Sequence, residues 1–129
     1  MPQEPTADAI KSDIRRSEDF CEAYANNVNL EISAWDLKLI FGTLDQREGK
    51  ATVEQHTAIT IPWMQAKLLI YFLQINLLVY ESETGKIKIP ARLLPISPSL
   101  LPQELQANPA AREAAAAIQK LYDQFQASL

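Results

Sequence analysis

The sequence predicts an α+β fold, an antiparallel three- to four-stranded sheet packed against one long helix, with a further helix at the C-terminus. Three observations carry that prediction. Apolar residues alternate with polar ones over residues 24–61, the period of a half-buried strand. A run of about 22 residues from Pro62 to Thr84 is then apolar with helical rather than strand spacing. Finally, Asn108-Pro109 precedes an alanine-rich segment, the pairing of a capping side chain with proline at the first helical position.

In the first strand Val28, Leu30 and Ile32 face one way and Asn27, Asn29 and Glu31 the other. The parity then flips, with Leu37, Leu39 and Phe41 on odd positions against Asp36 and Lys38. A regular strand does not change faces, so Ser33-Ala34-Trp35-Asp36 is expected to form a tight hairpin turn, with a bulge in one long strand as the alternative. Gly42 is expected to end the second strand and Thr43–Lys50 to be a polar loop. Residues 51–61 form the third strand, with Val53, Thr57, Ile59 and Ile61 on one face and Thr52, Glu54, His56 and Thr60 on the other. Short connections make this a meander.

Pro62 is placed at the start of the long helix and Gly85 just past its end, a length of roughly 33 Å at 1.5 Å per residue. Its polar residues form two narrow stripes, Lys67-Gln74-Glu81 and Gln65-Asn76-Glu83. Between them lie two apolar faces. One carries Met64, Leu68, Tyr71, Ile75 and Leu78, the other Ala66, Leu69, Ile70, Leu73, Leu77 and Tyr80. A helix resting on one sheet needs a single apolar face, so the second is expected to meet the C-terminal segment or another subunit. Lys86-Ile87-Lys88-Ile89 alternates and ends in proline, as a fourth, edge strand would. The expected organisation is a flexible segment over 1–19 with a short helix considered over Ala7–Phe20, a core domain over 20–89, a proline-rich connector over 90–108 and a helix over 109–129. The core is expected at Val28, Leu30, Leu37, Leu39, Phe41, Val53, Ile59, Ile61, Leu69, Leu73 and Leu77.

Composition narrows the function. A single histidine and a single cysteine among 129 residues exclude internal disulfides and any site needing two imidazoles or two thiols. A net charge of -4 argues against a general grip on nucleic acid or an anionic membrane. The basic triplets Lys11, Arg15, Arg16 and Lys86, Lys88, Arg92 are smaller than a nucleic-acid surface requires. The longest apolar run, Leu68–Tyr80, falls short of a bilayer span of about 20 residues. The first residues lack the apolar core of a secretory signal, so the expected compartment is the cytoplasm. His56 reads as an exposed strand residue, and no residue near Cys21 in the sequence marks it as a nucleophile. The acidic pairs Glu18–Asp19 and Glu81–Glu83 are read as solvated, and the three glycines make no phosphate loop. The sequence therefore leads to no catalytic residue, no metal, no cofactor and no enzyme. The candidate interface is Met64, Leu68, Tyr71, Ile75, Leu78, Trp35, Leu121, Tyr122 and Phe125. The expected partners are further copies of the chain, as a homodimer or larger homo-oligomer, and a protein bound through residues 90–129.

Tyr24-Ala25-Asn26, Ser33-Ala34-Trp35-Asp36-Leu37-Lys38-Leu39, Phe41-Gly42, Pro62, Gln65-Ala66-Lys67 and Tyr80-Glu81 before Gly85 occur in an order that resembles the bacterial and archaeal domain of unknown function 3467. The resemblance covers about residues 24–89 and implies a strand–strand–strand–helix order. It transfers no activity. Where that family often has Ser-Pro and His-Ala-Lys, this chain has Ile61-Pro62 and Gln65-Ala66-Lys67. Three functions compete at this stage: an oligomeric interaction module, a holdase loosely analogous to the secretion chaperone SecB, and a nucleic-acid-binding regulator.

Overall fold

A computed structural model describes residues 12–47, 49–98 and 109–129. The elements in order are β1 (Asn27–Ile32), β2 (Asp36–Arg47), β3 (Lys50–Pro62), α1 (Trp63–Thr84), a short 3-10 turn over Ala91–Leu93, and α2 (Pro109–Ala127). The three strands form one antiparallel sheet in the order β1-β2-β3. The fold is α+β. The chain divides into two compact units, residues 1–67 and 68–129.

In the first unit the turn between β1 and β2 is the hairpin that the parity flip implies. The Ser33 hydroxyl makes it. Its Oγ accepts the backbone N–H groups of Trp35 at 3.1 Å and Asp36 at 3.0 Å, and donates to Asp36 Oδ1 at 2.9 Å. The Ser33 N–H also donates to the Asp36 carbonyl at 3.0 Å, closing the ladder at the turn. A serine at the first turn position thus supplies the partners that two tip amides would otherwise take from water.

The register shows which residues share a face. Val28, Leu30 and Ile32 pair with Phe41, Leu39 and Leu37, which pair in turn with Thr57, Ile59 and Ile61. Directly paired residues lie on the same side of a sheet, so these nine form one face, apolar except for Thr57. Glu31 and Lys38 face each other on the opposite side, 3.6 Å apart and exposed, a pair worth at most about 1 kcal/mol.

Two expectations fail on β2 and β3, for one reason. Gly42 does not end the second strand, and Thr43–Lys50 is no loop: β2 continues to Arg47 and β3 begins at Lys50. A bulge interrupts the pairing at Gly42. Phe41 opposes Thr57 but Gly42 opposes Gln55, so His56 is the extra residue. Beyond the bulge the faces exchange. Val53 pairs with Leu44 on the side opposite Ile59 and Ile61, while Glu54, paired with Thr43, takes the side expected for Val53. Gly42 is required at this point. A Cβ there would lie 2.8 Å from the Glu54 carbonyl oxygen and 3.0 Å from Val53 Cγ1.

Pro62 is the last residue of β3, opposite Asp36, instead of the first of α1. Proline is tolerated there because the strand has ended its need for an amide donor. Trp63 opens the helix, and its indole Nε1–H donates to the Ser33 carbonyl at 3.0 Å, tying the first helical turn to the β1–β2 hairpin. α1 ends where expected. The Gly85 N–H reaches the Glu81 carbonyl at 2.9 Å, and Gly85 has φ 91°, a left-handed conformation that glycine adopts without a Cβ penalty.

Residues 86–89 are not a strand. The Ile87 N–H donates instead to the Glu81 carboxylate at 2.8 Å, which turns the chain back on the helix end. Alternation over four residues carries no strand without a neighbour to pair with. Residues 12–20 are not helical either. A turn at Ser17, whose Oγ and carbonyl accept the Asp19 and Phe20 amides, is closed by the Arg16 guanidinium 4.6 Å over the Phe20 ring. The rest of the segment considered as a helix, residues 7–11, lies outside the described residues. So does Asn108, the expected cap of α2; the helix itself spans Pro109–Ala127 as read from the sequence.

The expected core is only in part a core. Leu37 at 8% and Ala66 at 6% exposure are the buried apolar side chains among the described residues. Leu39, Phe41, Ile61 and Leu69 are half-buried, whereas Val28, Leu30, Val53, Ile59, Leu73 and Leu77 are exposed. Each unit makes these apolar faces and, by itself, leaves most of them uncovered.

Candidate interaction surfaces

Each unit presents a surface of its own. In the first, the residues preceding β1 run beside the bulge. Asn26 extends the ladder past the end of β1: its backbone N–H donates to the Gly42 carbonyl at 3.1 Å, and its side-chain Oδ1 accepts the Leu44 N–H at 2.6 Å. His56 holds the next turn of chain. Its Nε2 lies 2.9 Å from the Tyr24 carbonyl and its Nδ1 2.8 Å from Thr57 Oγ1. A carbonyl only accepts, so Nε2 carries the proton, and in the neutral ring Nδ1 accepts from the Thr57 hydroxyl.

This arrangement brings together two residues that sequence spacing kept apart. Cys21 and His56 line one cavity of about 640 Å³, with Phe41, Thr57 and Ile59. Both imidazole nitrogens are occupied within the chain, so the geometry makes His56 a tie between β3 and the Cys21–Asn26 segment, not a base for the exposed Cys21 thiol. The sequence hid this role because the bulge that turns His56 toward Tyr24 leaves no mark in the alternation. We expect His56→Ala to speed backbone hydrogen exchange over residues 21–26 while the β2–β3 amides stay protected. Unchanged exchange there would show that Asn26 alone holds the segment. No group of three or more His, Cys, Asp or Glu side chains able to hold a metal ion occurs among the described residues.

In the second unit, Gln74, Leu77, Leu78 and Glu81 of α1 face Leu121, Gln124 and Phe125 of α2, and Ser128 just past its end, across a cleft of about 470 Å³. α2 is amphipathic, with Tyr122 and Phe125 half-buried and Leu121 exposed on its apolar side. α1 is apolar around most of its circumference, and its exposed residues include Met64, Leu68, Tyr71, Ile75 and Leu78. Of the candidate interface residues, the structure therefore sets these five in one line on α1 and brings Leu78, Leu121 and Phe125 to a common cleft. Trp35 stands apart at the hairpin tip, 85% exposed, with its backbone N–H held by Ser33. Of the basic triplets, Lys11 is outside the described residues and Arg16 is engaged with Phe20.

No helix among the described residues is long and apolar enough to cross a membrane. No curated protein and no solved structure matches the chain significantly. The family described as Protein of unknown function (DUF3467) matches residues 2–89, reaching further toward the N-terminus than the motif-bearing residues 24–89. That span is over two-thirds of the chain and holds the whole sheet and α1, so the protein belongs to the DUF3467 family.

Proposed function

We propose that this chain is a non-enzymatic self-assembling interaction module, complete only as a homodimer or larger homo-oligomer. One observation carries the reading: the sheet's apolar face is continuous across three strands yet uncovered. Leu30 is 60% and Ile32 74% exposed, and Val28 and Ile59 beside them are about half exposed.

The magnitudes decide between a covered and an uncovered state. Burying a Val, Leu or Ile side chain fully contributes roughly 1.5–3 kcal/mol. A domain's whole stability is only about 5–15 kcal/mol. Leaving four or more such residues in water forfeits a share comparable to the total, and soluble monomers rarely expose contiguous apolar patches of this kind. A second copy, present wherever the first is made, removes that cost.

The test is sedimentation velocity from low micromolar concentration upward. We expect a species at least twice the 14.5 kDa chain mass throughout that range. A 14.5 kDa species at every concentration would overturn the proposal. The same apolar face could instead hold unfolded chains, and the holdase reading predicts suppression of client aggregation at near-stoichiometric ratio.

A further inference from the structure

We infer that β1 of one copy of this chain pairs edge to edge with β1 of a second, antiparallel and centred on Leu30, joining two three-stranded sheets into one. The inference rests on the self-assembly reading and deepens it by naming the strand and the register.

The free groups of β1 follow from its ladder. In an antiparallel pair, residues that exchange backbone bonds alternate with residues that do not. The Ser33 N–H bonds the Asp36 carbonyl, so in the same register Glu31 with Lys38 and Asn29 with Ile40 are bonded pairs. Val28, Leu30 and Ile32 fall between them, and their N–H and C=O groups point away from β2. No strand lies on that side of β1, and no described residue supplies these groups with a partner.

The two edges of the sheet differ. Natural sheets close an edge with lysine, proline or a bulge. β3 carries Lys50, Pro62 and the bulge at His56, which puts its outward groups out of step. β1 has none of the three, and its register with β2 runs without a shift. Its one charge, Glu31, lies on the polar side, 3.6 Å from Lys38 of its own chain. Exposure is concentrated on the same strand. Ile32 is 74% exposed, whereas Leu37, directly beside it on the central strand, is 8% exposed. A neighbour on its open side would make β1 an interior strand, as β2 already is.

The symmetry of the strand selects a second copy as that neighbour. Val28 and Ile32 lie two residues either side of Leu30, and Asn29 and Glu31 one residue either side. An antiparallel copy centred on Leu30 sets Leu30 against Leu30 and Val28 against Ile32 twice. Each pair exchanges both of its backbone bonds, so every outward group of these three residues is satisfied. Directly opposed residues share a side of the sheet, so the apolar face runs from one copy into the next. On the polar side Glu31 meets Asn29, an exposed contact that contributes little. The neighbouring registers are worse. Centring on Glu31 opposes two carboxylates. Centring on Asn29 sets Ile32 against Asn26, whose N–H is already bound to the Gly42 carbonyl.

The test uses the full chain in a Cys21→Ser background under mild oxidation. Across the inferred seam Asn29 and Glu31 form a non-bonded pair with Cα atoms about 4.5 Å apart, within disulfide reach. Asn29 lies about 7–8 Å diagonally from its own counterpart, beyond that reach, and so does Glu31. Asn29→Cys and Glu31→Cys chains are each expected to stay unlinked alone and to give a disulfide-bonded dimer when mixed. Residue-resolved hydrogen exchange on the unsubstituted chain is the second measurement. The Val28, Leu30 and Ile32 amides are expected to be protected as strongly as those of Asn29 and Glu31. Fast exchange at the three outward amides beside protected Asn29 and Glu31 would overturn the inference. So would bridging by Asn29→Cys alone or Glu31→Cys alone, since each marks another register. An assembly that persists in sedimentation with no bridge in any sample would place the contact elsewhere, overturning the inference while leaving self-assembly standing. A monomer in sedimentation would overturn both.

Discussion

Gly42→Ala is expected to cost about 2–3 kcal/mol and to lower the thermal unfolding midpoint by roughly 10 °C. The added methyl carbon would sit 2.8 Å from the Glu54 carbonyl oxygen, 3.0 Å from Val53 Cγ1 and 3.2 Å from the Gln55 Cα. Two of those three atoms are backbone, so no rotamer change relieves the contact. The strands must separate at the bulge, where Asn26 N–H also uses the Gly42 carbonyl. Thermal and urea unfolding read the loss directly. An unchanged midpoint would mean that β3 lies further from Gly42 than this register sets it. Gly49, at the β2–β3 turn with φ 76° and open space around it, answers to a different constraint, backbone conformation rather than contact.

Leu30→Asp is expected to split the assembly with the sheet intact. A two-fold contact repeats every substitution, so two leucines leave the contact and two carboxylates enter it. The lost burial alone amounts to roughly 3–6 kcal/mol for the pair, two to four orders of magnitude in the dissociation constant. Leu30 is exposed in the single chain, so the circular dichroism spectrum should hold while the sedimenting species shrinks to one chain. Asn29→Asp places the same charge on the same strand but on the opposite side of the sheet, and should leave the assembly whole. Assembly that survives Leu30→Asp would remove the sheet face from consideration.

Much of the fold was legible in the sequence wherever the signal was local. The parity change between Ile32 and Leu37 marks the first hairpin because alternation has no other way to reverse, and Ser33 supplies the turn chemistry. Gly85 marks the end of α1 through its backbone freedom, and Pro109 the start of α2. The second reversal was illegible. Val53, Thr57, Ile59 and Ile61 are all odd-numbered and read as one continuous face, but a bulge adds a residue without breaking the numerical pattern. Only Gly42, across the strand, hints at it, and a lone glycine reads equally well as a strand end. The interaction surfaces divide the same way. The two faces of α1 follow from helical spacing, whereas the meeting of Leu78 with Leu121 and Phe125 depends on how two distant helices pack. The tie from His56 to Tyr24 spans 32 residues and depends on the bulge.

The bulge also governs how the sheet resists shear. In a regular antiparallel pair, a slip of two residues restores every side chain to its original side, so creeping strands pass through states that look almost native. Here the ladder carries a phase step at His56. Sliding β3 against β2 would move that step away from Gly42, whose missing Cβ lets β3 approach there, and would draw the His56 ring off the Tyr24 carbonyl. The pairing therefore has a single commensurate alignment, and a surface assembled on the Val28–Ile61 face inherits a scale that does not drift.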